Sequence, residues 1–171
     1  MMLTVFAGPM FSGKTTALIE QSRKMLIDHI WKPRKDTRDE NTVVKSHDGL
    51  VLGATVLDSI DQIRHLTTVC IDEFQFLDES LAKEVLNYSR SSDVYVSMLD
   101  MDYRGNDFNN FRLIQEFEPK RMVYKTSRCA VCDGSARFSF RKVKSDDIIL
   151  CGAGESYEPR CDLHFQVLQL P

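Results

Sequence analysis

Short apolar runs alternate with amphipathic stretches along most of the chain. Leu3–Ala7 is an apolar-rich run too short for a helix, and it predicts a buried strand. From Gly13 to about His29, Ala17, Leu18, Met25 and Leu26 recur near helical spacing and predict a helix. A short strand is expected at Ile30–Trp31, and the polar, charged stretch 33–48 reads as a loop. Leu66–Asp72 reads as a second buried strand, followed by a helix over 80–90 with Leu81, Val85 and Leu86 on one face. Asp93–Asp100 predicts a third core strand, Phe111–Phe117 a short helix and Arg121–Tyr124 a fourth strand. Strands alternating with helices predict an α/β fold, a parallel sheet with helices on both faces. Beyond Lys125 the pattern breaks: cysteines, glycines and basic residues crowd in, and a second, small unit is expected to begin there.

Composition narrows the class. With 171 residues, 43% of them hydrophobic and 27% charged, the chain has material for one globular domain and an appendage. The formal net charge of −3 argues against a broad, nonspecific grip on nucleic acid, although a local basic cleft would still hold a phosphorylated ligand. No apolar run is long enough to cross a bilayer. The N-terminus lacks the basic region and cleavage-like site of a signal peptide. An intracellular, cytoplasmic protein is expected, in which the five cysteines are not used for structural disulfides.

The strand-to-helix junction carries the first chemistry. Gly8–Thr15, "GPMFSGKT", fits G-x-x-x-x-G-K-[ST] in full, with a strand before it and a helix after it. Glycines at 8 and 13 let backbone N–H groups approach a polyphosphate. The helix N-terminus adds a partial positive charge there. Lys14 would reach the β- and γ-phosphates, and the Thr15 hydroxyl would ligate Mg²⁺. Pro9, Met10, Phe11, Ser12 and Thr16 complete the expected phosphate cradle. "VCIDEFQF", Val69–Phe76, ends an apolar strand in adjacent acids. Asp72 there suits a metal-holding role, and Glu73 would take a proton from an attacking hydroxyl or water. The acid pair does not separate an ATPase, which activates water, from a kinase, which activates an alcohol.

Cys129-x-x-Cys132 and Cys161-x-x-His164 form two knuckles, together four soft and borderline donors. A complete set of four leaves no open position, so a structural Zn²⁺ is expected, anchoring both ends of the segment between the knuckles. Cys70 reads as a small core hydrophobe and Cys151 as a free thiol. His29, His47 and His65 show no ligand spacing; His47 reads as a solvated loop residue, with contact to the active site through its loop as the alternative.

Taken together, these motifs resemble the thymidine kinases of the human-cytosolic type. The resemblance rests on "GPMFSGKT" at 8–15, "KDTR" at 35–38, "SHDG" at 46–49, "DEFQF" at 72–76, "LDMDYRGNDF" at 99–108, the double knuckle and "SYEPRC" at 156–161. It covers nearly the whole chain. It implies a RecA-like P-loop domain over 1–124 and a zinc-binding unit with a substrate-covering lasso loop over 125–171. It implies phosphorylation of the 5′-hydroxyl of thymidine or deoxyuridine by ATP with Mg²⁺, in pyrimidine salvage. Lys14, Arg38 and Glu73 would be catalytic, with Glu73 the general base, and Thr15, Asp72 and Asp36 would serve Mg²⁺. Phe76, Leu99, Tyr103, Phe108 and Tyr157 would line the nucleoside pocket, with lasso residues Leu150, Cys151, Gly152, Ala153 and Gly154 bonding the base edge. A homotetramer or homodimer inhibited by thymidine triphosphate is implied as well, with no membrane and no stable nucleic-acid partner.

The chain departs from that family in a shorter interval between Thr16 and "KDTR". Asp39 and Asp107 stand where an aromatic residue and a proline are common, and no long tail follows the last ligand. Two other readings are a P-loop ATPase driving a mechanical or nucleic-acid partner, and a zinc-stabilised binding module with a vestigial nucleotide site. The first would need a coupling element and an arginine finger that the sequence does not display. The second is opposed by the intact Lys14, Thr15, Asp72 and Glu73.

Overall fold

A computed structural model describes residues 1–36, 42–143 and 154–165. In chain order the described elements are β1 (Leu3–Ala7), α1 (Lys14–Lys24), β2 (His29–Lys32), β3 (Val43–Lys45), β4 (Val51–Val56), β5 (Thr68–Ile71), α2 (Glu79–Tyr88), β6 (Asp93–Met98), α3 (Asn109–Phe117) and β7 (Arg121–Tyr124). They are followed by β8 (Ser127–Arg128), β9 (Ser135–Ala136), β10 (Phe138–Arg141), β11 (Tyr157–Arg160) and α4 (Asp162–Phe165). The first seven strands form one sheet in the order β3-β4-β2-β5-β6-β1-β7. Every neighbouring pair in it is parallel except β3 with β4.

The sheet has an apolar core on each face, as expected of strands buried on both sides. On one face Val5, Ile71, Val94 and Val96 pack with Ala82, Val85 and Leu86 of α2 and with Phe111 and Ile114 of α3. On the other, Phe6, Ile30, Cys70 and Tyr95 pack with Leu18 and Ile19 of α1. The expected α/β architecture with helices on both faces is therefore the one observed. Cys70 is fully buried, and burial pushes its thiol up to about 12, which makes it the inert core residue its strand position predicts.

Two expectations are corrected. The first helix ends at Lys24 instead of continuing to His29. Leu26 adopts φ 56, and Ile27 N–H donates to Ser22 O at 2.9 Å, so the chain leaves the helix through a left-handed residue. The apolar spacing of Met25 and Leu26 is misleading, since Leu26 is 93% exposed. The stretch 33–48 is also not all loop. It contains β3, which pairs antiparallel with β4, a strand the apolar pattern did not reveal. Both lie at the sheet edge, where only alternate residues such as Val44 and Ala54 are buried.

After β7 the described residues form two two-stranded sheets, β8 with β9 and β10 with β11. Phe138 and Phe165 stack with centroids 4.1 Å apart, and their rings lie against Gly105.

Candidate active site and metal-ligand cluster

β1 hands the chain into a tight turn that only particular backbone conformations permit. Gly8 has φ 149, and a Cβ there would overlap Lys125 O. Gly13 has φ 75 and caps α1, whose first-turn N–H groups lack helical acceptors and leave the helix end electropositive. Lys14 is 7% exposed, and its Nζ donates to Pro9 O at 2.6 Å, as Ser12 Oγ does at 2.8 Å.

β6 lies between β1 and β5, so the acid pair at the end of β5 faces the loop across one strand. Asp72 is 2% exposed. The Thr15 hydroxyl sits 3.2 Å from both Asp72 carboxylate oxygens, and the Ser97 hydroxyl of β6 donates to Oδ1. Glu73 is buried in a left-handed conformation, φ 52, at the start of the turn Phe74–Phe76. A bulky residue held there is a strained position of the kind that clusters at functional sites. Gln75 Nε2 donates to Glu73 Oε2, while Gln75 Oε1 accepts from Leu99 N–H at 3.0 Å. Gln75 thus locks the carboxylate to the start of the 99–108 segment.

One cleft of about 310 Å³ is lined by Met10–Thr16, Asp36, Asp72, Glu73 and Leu99. Its remaining wall, Val44–His47, comes from β3 and the turn after it. His47, expected to be a solvated loop residue, is exposed, yet its ring meets Phe11 edge-on with centroids 5.2 Å apart. Asp48 accepts from Thr16 Oγ1 at 2.6 Å. His47 thus lines the cleft, the alternative reading of its loop, while Ser97 and Gln75 are residues that motif reading passed over. The signals for these two were polar residues inside apolar strand-end segments, "YVSML" and "DEFQF".

Of the expected nucleoside residues that are described, Leu99 lines this cleft, and Phe76, Tyr103, Phe108, Gly154 and Tyr157 are not among its lining. Phe76 and Phe108 meet edge to face at 6.1 Å. Arg141, 7% exposed, lies 3.7 Å from the Tyr103 ring centroid and donates to Tyr157 Oη through Nη2 at 2.9 Å. Gly154 O accepts from Lys142 Nζ. Arg38 and the lasso residues 150–153, Cys151 among them, fall outside the described residues. Asp100, at the mouth of β6, has its carboxyl raised above the usual 3.8 chiefly by burial.

Cys129, Cys132, Cys161 and His164 place their ligand atoms all within 4.8 Å of one another. Cys132 Sγ is 3.8 Å from Cys161 Sγ, and His164 Nδ1 is 3.7 Å from Cys129 Sγ and 3.1 Å from Cys161 Sγ. Four donors around an ion with metal–sulfur bonds of about 2.3 Å would be separated by roughly 3.5–3.8 Å, so the cluster fits a closed tetrahedral site. Burial raises the Cys129 thiol, but N–H groups of Cys161, Val131 and Cys132 outweigh it and bring the group down to about 6. Its thiolate, the ligating form, is thereby favoured near neutral pH.

A glycine-rich loop entering a helix, opposed by strand-end acids one strand away, defines the P-loop class of nucleotide-binding proteins. Within that class the sequence comparisons are specific. A profile of the thymidine kinase family matches residues 1–165. The thymidine kinase of Rhodothermus sp. is 35% identical over 176 residues, covering 96% of this chain and 81% of that protein. The thymidine kinase of Pyrobaculum aerophilum is 30% identical over 184 residues, with 97% and 99% covered. That of Thermococcus kodakarensis is 32% identical over 187 residues, with 96% and 94% covered. The chain belongs to the thymidine kinase family and is a kinase.

Proposed function

We propose that the protein transfers the γ-phosphoryl group of ATP to the 5′-hydroxyl of thymidine, and of deoxyuridine, in pyrimidine salvage. The observation that carries this reading is that Lys14, Thr15, Asp72 and Glu73 share one cleft with Leu99. The family match names the acceptor: the relatives are thymidine kinases. A motor ATPase is not favoured, since the same match covers the whole segment from the phosphate loop to the last metal ligand.

In this reading Glu73 accepts the proton of the 5′-hydroxyl as the oxygen bonds to the γ-phosphorus. The bond from that phosphorus to the β,γ-bridging oxygen breaks, and ADP leaves with the electron pair. Lys14, Arg38 and the amides of the loop offset the charge on the transferred group. Thr15, Asp72 and Asp36 offer hard oxygen donors around one side of the cleft, a set that suits Mg²⁺. When bound, that ion would supply positive charge that offsets the charge of the triphosphate. Phe76, Tyr103, Phe108 and Tyr157 flank the base, and residues 150–154 bond its edge. The Cys₃His cluster holds structural Zn²⁺ and carries no catalytic step. Cytoplasmic location and a homotetramer or homodimer complete the proposal. Among the described residues, no helix is long and apolar enough to cross a membrane.

The test is ADP release with Mg²⁺ and ATP in the presence of each of the four deoxynucleosides. Thymidine stimulates release strongly. Equal ATP consumption with and without thymidine refutes the reading.

A further inference from the structure

Two serines of the metal-bearing unit reach back to the phosphate loop. Ser127 Oγ, in β8 and two residues before the ligand Cys129, donates to Phe11 O at 3.0 Å. Ser139 Oγ, in β10 and 5% exposed, accepts from Met10 N–H at 2.9 Å. Just before Ser127 in the chain, Lys125 N–H donates to Ala7 O at 2.7 Å, and its carbonyl packs where a side chain at Gly8 would stand.

These contacts act on peptide planes. In a trans peptide the carbonyl of one residue and the N–H of the next point in opposite directions. Holding Phe11 O toward Ser127 therefore turns Ser12 N–H away from Ser127, in a stretch, Met10–Thr16, that lines the cleft. Holding Met10 N–H toward Ser139 likewise turns Pro9 O inward, where it accepts from Lys14 Nζ. Phe11 has φ 62, a conformation that costs a non-glycine residue roughly 1–2 kcal/mol and must be fixed by its surroundings. Alternation of right- and left-handed residues is what makes successive N–H groups converge into an anion-binding nest.

We propose that Ser127 is a positioning residue for triphosphate binding. Its hydroxyl, carried on the strand that leads into the metal knuckle, sets the Phe11–Ser12 peptide so that the Ser12 N–H faces the phosphates. Ser139 does the same for the Pro9–Met10 peptide. The unit that carries the Cys₃His cluster thereby tunes ATP affinity. This rests on the phosphate-loop part of the proposed function.

The test compares Ser127→Thr with Ser127→Val in the full chain. The two side chains match in shape and strand propensity, and only threonine keeps the hydroxyl. Calorimetric titration with Mg²⁺ and ATP, without nucleoside, should give wild-type affinity within about twofold for Ser127→Thr. For Ser127→Val it should give a Kd about fivefold weaker, the scale of one hydrogen bond. Thymidine affinity and metal content stay equal in both. If the valine variant binds ATP as tightly as the threonine variant, or loses ATP and thymidine affinity equally, the positioning role is overturned. A wild-type protein that binds no ATP overturns the kinase reading itself, and this inference with it.

Discussion

The two ends of the molecule hold functional groups in different ways. The phosphate cleft sits on a seven-stranded sheet with an apolar core on each face. Its candidate reactive side chains stand at the start of α1 (Lys14, Thr15) and just past the end of β5 (Asp72, Glu73). The metal-ligand unit has two-stranded sheets and few buried apolar residues of its own among those described, chiefly Cys129, Ala136, Tyr157 and Phe165. So little apolar burial does not offset the entropy of ordering such a segment. The Cys₃His cluster fits a zinc site there, and in the proposed reading coordination supplies what that small core does not. The contrast teaches that the proposed donor site rests on the packed sheet, while the segment bearing the Cys₃His cluster touches it through the hydroxyls of Ser127 and Ser139.

Removing the metal breaks this comparison most directly. Binding free energies for structural Zn²⁺ are about 10 kcal/mol or more, so a strong chelator should unfold the unit that depends on it. Hydrogen exchange on the full chain is expected to show amides of β8–β11 losing protection while β1, β5 and β6 keep theirs. Simultaneous loss in both regions would show that the sheet relies on the metal too.

Next in size is Glu73→Gln, which keeps the shape and the contact with Gln75 but removes the proton acceptor. Turnover should fall by about 10²–10⁴-fold with ATP affinity retained. Undiminished turnover removes Glu73 from the chemistry.

A smaller effect is expected at Asp100. Its carboxyl is raised by burial, so the folded state holds its proton more tightly than the unfolded chain does. Stability on its account is complete below the usual 3.8 and declines as pH rises through the folded value. Asp100→Asn should be the more stable protein at pH 7, with the gap closing below about pH 4. Denaturant midpoints at the two pH values measure this, and a gap independent of pH would contradict it.

The smallest change lies far from both sites. Leu26 is exposed in a left-handed conformation at the end of α1, a position that suits glycine. Leu26→Gly should stabilise the sheet domain by about 0.5–1 kcal/mol, the conformational strain relieved less the added chain entropy of glycine. A lowered melting temperature would count against that reading of the helix end.

How much of this was legible beforehand follows from how local each feature is. The phosphate loop, the acid pair and the metal ligands were readable because their spacing is short and their chemistry restricts the residue types. β1, β5 and β6 were readable because strands buried on both faces are nearly continuous apolar runs. β3 and β4 were not: an antiparallel edge pair buries alternate residues, and Gly53 and Thr55 dilute what signal remains. His47 reaches the cleft only because that unseen hairpin turns back toward the phosphate loop. Ser97 supports Asp72 from a neighbouring strand, 25 residues along the chain, a pairing no short sequence window spans, whereas Gln75 supports Glu73 from within the same motif. Ser127 and Ser139 are contacts over 116 and 129 residues of chain, visible only once the two regions are in place.

The central claim is that the cleft passes phosphate to a nucleoside alcohol and not to water. Phosphorus NMR of a reaction with ATP, Mg²⁺ and excess thymidine reads this directly. One thymidine 5′-monophosphate per ADP, with negligible inorganic phosphate, is the predicted result; inorganic phosphate in step with ADP and no phosphorylated nucleoside would contradict it.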